Sequence, residues 1–211
     1  MNLSPSLMCA DAGHLAEEIA LLDAAGANSF HIDIMDGLYV PNFALSWAVV
    51  RRFREWTDLP LEAHLMVRNL DVHIEFARNC GIKLVYVHAE HPDAAKGIAR
   101  IRELGMHAGL AINPDTEIEP LATFEAQINA VLMMRVRPGF AGQKAIAESD
   151  ERLSEIVKRF PKSKIAIDGA VTPTVIKEMS AKGASTFILG TSSLFGKGLA
   201  YREIFKNLRN I

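Results

Sequence analysis

Eight short apolar runs alternate with amphipathic stretches along the whole chain. Runs such as Ala130–Met134 are apolar at consecutive positions, which is typical of parallel strands covered on both faces. Eight strand–helix units in 211 residues fit one compact (β/α)8 barrel. The predicted strands are residues 3–7, 30–34, 61–66, 84–88, 108–112, 130–134, 164–167 and 186–189.

Helical periodicity separates these runs. Residues 13–25 carry Leu15, Ile19 and Leu22 at helical spacing, and Asp11 is a candidate cap before them. Three further helices end shortly before a glycine that precedes the next strand, which is a common C-terminal signal. These predicted helices are residues 71–79, 92–104 and 172–182.

The predicted architecture is therefore an α/β fold, a single TIM barrel over residues 1–211. A doubly wound open sheet is the alternative. The barrel is favoured because polar residues follow strands spread along the whole chain, and only closure brings them to one mouth. No linker or low-complexity segment indicates a second domain.

Composition limits the partners. The chain is 49% hydrophobic and 23% charged, with a net charge of −2, so no electrostatic argument favours nucleic acid or an anionic membrane. The N-terminal residues show no signal-peptide pattern. The two cysteines, Cys9 and Cys80, have no metal-type spacing. Cys9 is interpreted as a buried structural thiol, with a position near the barrel mouth as the alternative. We expect a cytoplasmic protein.

Four metal-capable side chains lie near the C-terminal ends of predicted strands. His31 and Asp33 are two residues apart, so a strand directs both to the same face. His64 and Asp168 lie in two other runs. One histidine on an apolar strand is more often a core residue, but four such side chains at the ends of barrel strands indicate a shared site. Two imidazoles and two carboxylates suit one divalent ion: Zn, Fe, Mn or Co.

Small residues dominate the loops after the last three strands: Gly139–Gly142, Gly169-Ala170 and Gly190-Thr191. Small residues let backbone N–H groups approach an anion, and barrels often bind phosphate in this region. Arg135 and Arg137 precede the first of these loops. They can assist the phosphate or form ion pairs between loops, and the sequence leaves both open.

Methionines stand near three strand ends, at Met35, Met66 and Met134. They fill irregular core gaps or form an apolar wall that keeps water from a reactive intermediate.

Five segments, in chain order, form a recognisable set: Pro5-Ser6-Leu7, His31-x-Asp33-x-Met35-Asp36-Gly37-x-x-Val40-Pro41-Asn42, His64-Leu65-Met66-Val67, Pro138-Gly139-Phe140-Ala141-Gly142-Gln143 and Asp168-Gly169. With them the chain resembles the ribulose-phosphate 3-epimerase family. Residues 6–9 and 190–195 look more like its D-allulose-6-phosphate 3-epimerase branch.

The resemblance implies a (β/α)8 barrel that inverts C3 of a ketose phosphate, and we expect a homo-oligomer. It implies His31, Asp33, His64 and Asp168 as ligands of one divalent metal ion, with Asp33 and Asp168 also the acid–base pair. The expected substrate-binding residues are Ser6, Met35, His64, Met66, Met134, Gly139, Phe140, Ala141, Gly142, Asp168, Gly169, Ala170, Gly190 and Thr191.

The chain departs from the family pattern at a few positions. Leu38 stands where the family usually has His or Lys, in a loop thought to fold over the substrate. Arg135 and Arg137 replace Thr and an acidic or amide residue. Gly is common where Ala141 and Ala170 stand, and Ser where Thr191 stands. These departures bear on the substrate and its phosphate end and leave the metal ligands intact.

Two other functions are weighed against an epimerase. A phosphate-binding barrel lyase or decarboxylase of the orotidine-phosphate type needs an Asp-x-Lys-x-x-Asp array, and residues 31–36 contain no lysine. A non-catalytic sugar-phosphate-binding barrel has no need of a second carboxylate placed as a proton donor.

Overall fold

The computed structural model describes residues 1–211. Eight parallel strands form one sheet in the order β1-β8-β7-β6-β5-β4-β3-β2. The strands are β1 (Asn2–Pro5), β2 (Phe30–Met35), β3 (Leu61–Met66), β4 (Leu84–His88), β5 (His107–Ile112), β6 (Ala130–Met134), β7 (Lys164–Asp168) and β8 (Thr186–Leu189). Four have the predicted bounds, and the others differ by one or two residues at an end.

The first and last strands of this order meet through a single parallel bridge between Ser6 and His31. The sheet is therefore a nearly closed barrel, and the predicted barrel is confirmed over the open sheet. That residues 1–211 form one domain stays a prediction.

Helices cover the outside of the barrel, as expected from crossover connections between parallel strands. Four of them match the predicted periodic stretches, and the other connections use shorter helices. The helices are α1 (Leu15–Ala25), α2 (Trp47–Val50), α3 (Leu70–Asn79), α4 (Ala94–Glu103), α5 (Leu153–Arg159), α6 (Pro173–Ala181) and α7 (Tyr201–Arg209). 3₁₀ helices occupy Leu7–Cys9, Arg51–Glu55, Glu119–Gln127 and Ala147–Arg152.

The start of α1 differs from the sequence prediction. Asp11 does not cap this helix, because its carboxylate accepts the N–H of Gly13 at 2.9 Å and the helix begins only at Leu15. At α6 the Thr172 side chain does accept the N–H of Val175, so the first turn is capped there.

The side chains of each strand alternate between two environments. Ile32 and Ile34 of β2 are buried in the large apolar core, whereas His31 and Asp33, which alternate with them, face the barrel interior. The interior is polar beside β2 and β3 and apolar beside β6, where Leu132 and Met134 pack. The polar side of this interior is the place where a site can form. No helix has the length and apolar character that crossing a bilayer requires.

Candidate active site and family

The four metal-capable side chains converge at the C-terminal end of the barrel. One ligand atom each from His31, Asp33, His64 and Asp168 lies within 4.8 Å of the others. Asp33 and His64 are direct register partners on β2 and β3, and Asp168 ends β7 on the other side of the barrel. The fold thus brings together all four residues that the sequence singled out.

His31 is fully buried, yet neither of its ring nitrogens makes a hydrogen bond. Its Nε2 lies 3.5 Å from Asp33 Oδ1. Burial opposes charge on this imidazole, but the carboxylates of Asp33 and Asp168 outweigh burial and raise the pKa of His31 to about 9. A buried polar atom without a partner is costly in a core residue. Because the His31 nitrogen lies beside the carboxylates of Asp33 and Asp168, it is instead suited to binding a cation together with them.

Asp33 is held by its neighbours on both oxygens. Ser6 Oγ donates to Oδ2 at 2.6 Å, and His64 Nδ1 lies 3.2 Å from Oδ1. Burial raises the pKa of Asp33, but the positive charge of nearby His31 and the contact with His64 outweigh it and hold the pKa well below its usual range. Asp33 is therefore ionised in the metal-free protein.

The pKa of Asp168 is shifted in the opposite direction from that of Asp33. Its side chain is 18% exposed, and its Oδ2 lies 3.9 Å from His64 Nδ1. Burial and the negative charge of Asp33 raise the pKa of Asp168 to about 6, against the opposing charge of His31. Two carboxyl groups in one site thus differ in their affinity for a proton, which an acid–base pair requires.

A cavity with an empty volume of about 580 Å³ opens above these side chains. Met35, Met66 and Met134 form part of its apolar wall. Every residue that the sequence assigned to substrate binding lines this cavity: Ser6, Met35, His64, Met66, Met134, Gly139, Phe140, Ala141, Gly142, Asp168, Gly169, Ala170, Gly190 and Thr191. The same cavity therefore adjoins both the carboxyl groups of Asp33 and Asp168 and the glycine-bearing loops.

The glycine-bearing loops meet on one side of the cavity. Gly169 has φ +95°, and a Cβ there would lie 2.6 Å from Val136 Cγ2, so the turn requires glycine. Ala170 follows with φ +49° and is the only non-glycine residue with a positive φ. The backbone N–H groups of Gly142, Ala170 and Gly190 donate no hydrogen bond to another protein group. These unpaired donors suit an anion.

Arg135 links the end of β6 to Asp150 and to the Gly169-Ala170 loop, and it does not line the cavity. Its buried guanidinium makes a bidentate ion pair with Asp150, at 2.6 and 2.9 Å. It also donates to the carbonyls of Gly169 and Ala170, at 3.0 and 2.7 Å. All three guanidinium nitrogens are used in these contacts, so of the two interpretations left open by the sequence, the structure supports the ion pair between loops for Arg135.

Arg137 forms an exposed bidentate pair with Asp115, at 3.1 and 2.9 Å. Unlike Arg135, it lines the cavity. Because both partners are 61% exposed, this pair adds little stability.

Comparison with known proteins assigns the family. The sequence model described as the ribulose-phosphate 3 epimerase family matches residues 2–195. The chain belongs to the ribulose-phosphate 3-epimerase family. The ribulose-phosphate 3-epimerase of Bacillus subtilis is 34% identical over 204 residues, with 93% of each chain covered. That of Methanocaldococcus jannaschii is 33% identical, covering 99% of this chain and 90% of its own.

The family assignment confirms the resemblance found in the sequence motifs, and it confirms the predicted isomerase.

Solved structures confirm the barrel. A mutant α-subunit of tryptophan synthase from Pyrococcus furiosus superposes with a TM-score of 0.74 at 16% identity, covering 100% of this chain and 98% of that one. Phosphoribosyl anthranilate isomerase from Thermus thermophilus gives 0.72 at 14% identity, covering 100% and 99%. At such identities the likeness concerns the fold alone.

Sequence reasoning missed some residues at the site. Met8 lines the cavity and was not singled out. Cys9 also lines it, so the alternative position near the barrel mouth is supported over the buried structural thiol that the sequence favoured. His88 and Glu90 lie behind His64 and were not singled out. Their signal was present, because His88 ends β4 and Glu90 follows two residues later, the same spacing as His31 and Asp33. Leu38 is 70% exposed and does not line the cavity.

Proposed function

We propose that this protein is a metal-dependent epimerase that inverts C3 of a ketose phosphate by two-base proton transfer. The observation that carries the proposal is the pair of carboxyl groups, Asp33 and Asp168, which face one cavity with opposite pKa shifts. An ionised carboxylate can take a proton while a protonated one delivers a proton. A binding protein has no use for that difference.

The residues present fit a divalent ion. Buried His31 offers an imidazole nitrogen without a hydrogen bond, and Asp33, His64 and Asp168 supply further nitrogen and oxygen donors within 4.8 Å. This mixed set suits Zn, Fe, Mn or Co. When bound, such an ion supplies Lewis-acid stabilisation of negative charge that develops on substrate oxygen.

The chain's own groups account for the proton transfers. Asp33 is held ionised by Ser6 and the two histidines, so it is placed to take the C3 proton of one epimer. Asp168 extends from β7 across the barrel and holds a proton more readily, so it is placed to deliver one to the opposite face. In the reverse direction the two groups exchange roles. The methionine wall keeps bulk water from the intermediate enediolate.

We assign the substrate phosphate to the loops Gly139–Gly142, Gly169-Ala170 and Gly190-Thr191. Support comes from the unpaired N–H groups of Gly142, Ala170 and Gly190 on one side of the cavity. The loops after strands seven and eight are a common phosphate site in such barrels. Binding energy at the phosphate then positions C3 between the two carboxyl groups.

Two substrates fit this scheme. The relatives' name supports conversion of D-ribulose 5-phosphate to D-xylulose 5-phosphate. Residues 6–9 and 190–195 favour D-allulose 6-phosphate, which gives D-fructose 6-phosphate. We propose the pentulose phosphate as the main substrate, because the relatives cover more than nine-tenths of this chain.

We propose a cytoplasmic location. Support comes from the two free cysteines and from a rice relative named as a cytoplasmic isoform, 34% identical over 92% of this chain.

A turnover comparison tests the proposal. The protein, loaded with one defined metal at a time, is assayed on D-ribulose 5-phosphate and D-allulose 6-phosphate, and on the unphosphorylated sugars. We expect the highest kcat/KM on the pentulose phosphate and a loss of kcat on the free sugars. Turnover of neither phosphate under metal-replete conditions would contradict the proposed function.

A further inference from the structure

His64 has a buried polar neighbour on the side away from the metal-capable cluster. Its Nε2 lies 2.8 Å from Nε2 of His88, whose side chain is fully buried at the end of β4. The two rings lie 4.9 Å apart at their centroids. Two ring nitrogens at this distance share a single hydrogen, so one of them donates and the other accepts.

Glu90 determines which nitrogen donates. Its Oε2 lies 3.2 Å from His88 Nδ1, and a carboxylate can only accept. Nδ1 of His88 therefore carries the hydrogen, and Nε2 of the neutral ring is left as an acceptor. It accepts the Nε2–H of His64. The remaining nitrogen of His64, Nδ1, lies 3.2 Å from Asp33 and 3.9 Å from Asp168. With a cation bound among these groups, this nitrogen would present its lone pair to the cation rather than a hydrogen to Asp33.

Hydrogen bonds from the residue 113–116 loop hold the Glu90 carboxylate in place. Its Oε1 accepts the N–H of Asn113 at 3.0 Å and the hydroxyl of Thr116. Arg152 holds that loop by donating to the carbonyls of Asn113, at 2.6 Å, and Thr116. These hydrogen bonds, with that of His88, outweigh burial and lower the pKa of Glu90 to about 2. The carboxylate is therefore an ionised and immobile end of the chain of contacts.

We propose that His88 and Glu90 are positioning residues that hold His64 with its Nδ1 free of hydrogen and turned toward the metal site. The inference rests on the proposed metal centre and deepens it. Without a cation, a bare His64 nitrogen would face the Asp33 carboxylate just as, in the reversed arrangement, a bare His88 nitrogen would face the Glu90 carboxylate. A bound cation would remove the first repulsion and not the second, so the arrangement with hydrogen on His88 Nδ1 and His64 Nε2 is the one that metal binding favours. Histidine ligands commonly donate their second N–H to an acceptor that fixes the tautomer, and losing that acceptor weakens metal affinity. Here the acceptor is a second histidine backed by a carboxylate.

We call the chain of contacts from Glu90 through His88 to His64 the relay. The zinc affinity of the whole protein, measured by competition with a chromogenic chelator, tests it. His88→Leu removes the acceptor and should weaken Zn²⁺ binding by about 10–100-fold. His88→Gln keeps an amide oxygen that can accept from His64, so it should recover most of that loss. The loss of Zn²⁺ affinity in Glu90→Gln should lie between those of His88→Leu and His88→Gln, because the single amide oxygen cannot accept from both His88 and the residue 113–116 loop.

His91→Leu is the matched control. His91 is a buried histidine nearby, but its nitrogens contact the Arg68 carbonyl and the Asp93 N–H, at 3.2 and 3.0 Å. It should leave zinc affinity unchanged. Thermal unfolding of each metal-free variant shows whether it folds. In ¹⁵N-labelled protein loaded with zinc, His64 should carry its hydrogen on Nε2.

The outcomes separate the relay from the metal centre. Wild-type affinity in His88→Leu, an equal loss in His88→Gln and His88→Leu, or a hydrogen on His64 Nδ1 would overturn the relay while leaving the metal centre. A wild-type protein that binds no zinc, iron, manganese or cobalt would overturn both.

Discussion

The hydroxyl of Ser6 donates a 2.6 Å hydrogen bond to Oδ2 of Asp33. Ser6 follows β1 and Asp33 lies in β2, and a parallel bridge between Ser6 and His31 joins the ends of the sheet. The residue that makes this bridge therefore also orients the carboxylate of Asp33, one of the two proposed acid–base groups. It leaves Asp33 Oδ1 directed at the two histidines, 3.5 Å from His31 Nε2 and 3.2 Å from His64 Nδ1.

Removing either acid–base group should stop epimerisation. Asp33→Asn and Asp168→Asn each replace a carboxylate with an amide that cannot exchange protons, so kcat should fall by at least ~10²-fold. Steady-state kinetics on D-ribulose 5-phosphate measure the loss. Because both residues also belong to the proposed metal site, metal content is determined in each variant. Near-wild-type turnover with the metal retained would refute the two-base scheme.

Metal binding should release protons. At pH 7 the metal-free protein holds a proton on His31, whose pKa is about 9, and a metal ion must displace it. Apparent affinity should therefore fall as the pH drops from 9, and more steeply below pH 6, where Asp168 also takes up a proton. Calorimetry in buffers of different ionisation enthalpy counts the protons. No proton release at pH 7, with affinity independent of pH, would show that the ligands lie elsewhere.

At the loops proposed to bind the phosphate, KM should respond strongly to an added side chain at Gly190 and weakly to loss of the Arg137 charge. A Cβ on Gly190 meets only Cys9 Sγ, at 3.5 Å, so the fold tolerates a side chain there. Gly190→Val should nevertheless raise KM strongly, because its methyl groups enter the cavity beside the anion. Arg137→Ala should change KM little, since its guanidinium is paired with Asp115. The reverse ranking would mean that a side-chain clamp holds the phosphate.

Arg135 should matter for stability and for the shape of the phosphate site. Arg135→Met leaves Asp150 and the carbonyls of Gly169 and Ala170 without their donor. The free energy of unfolding should fall by on the order of 2–3 kcal/mol, at the low end for a broken buried pair because Asp150 is 32% exposed. Denaturant titration measures the loss, and KM for the phosphorylated substrate should rise.

Arg137→Met is the control for that experiment, because it breaks a pair that is exposed on both sides. It should cost less than about 1 kcal/mol. Equal losses in the two variants would mean that Arg135 does not brace the loops in the way the contacts indicate.

Local sequence patterns predicted the strands well for a physical reason. A strand buried on both faces reads as consecutive apolar residues, as β6 does, and β3, β4, β6 and β8 have the predicted bounds although β3 also carries Glu62 and His64. The connection between β5 and β6 lacks such a signal. Its 3₁₀ helix, Glu119–Gln127, buries only Leu121, and so no apolar stripe marks it. Helix starts were also imprecise, because Asp11 bonds to Gly13 rather than to the first turn of α1.

The candidate site was predictable where residue type and strand position coincide. His31, Asp33 and His64 are polar residues within apolar strands and Asp168 ends one, and barrel closure brings the four together. The sequence could not predict which way each side chain points and which partner it contacts. The pairing of Arg135 with Asp150, and the contact of His64 with His88, depend on rotamers that are set by tertiary packing. The homo-oligomer stays a prediction.

One measurement tests the central claim most directly. The protein is stripped of metal and then reloaded with one ion at a time. Each form is given D-ribulose 5-phosphate in D₂O, and the product is followed by NMR. We predict no conversion without metal, restored conversion to D-xylulose 5-phosphate on reloading, and deuterium at C3 of the product. Equal conversion by the stripped protein, or product that carries only hydrogen at C3, would contradict metal-assisted two-base epimerisation at Asp33 and Asp168.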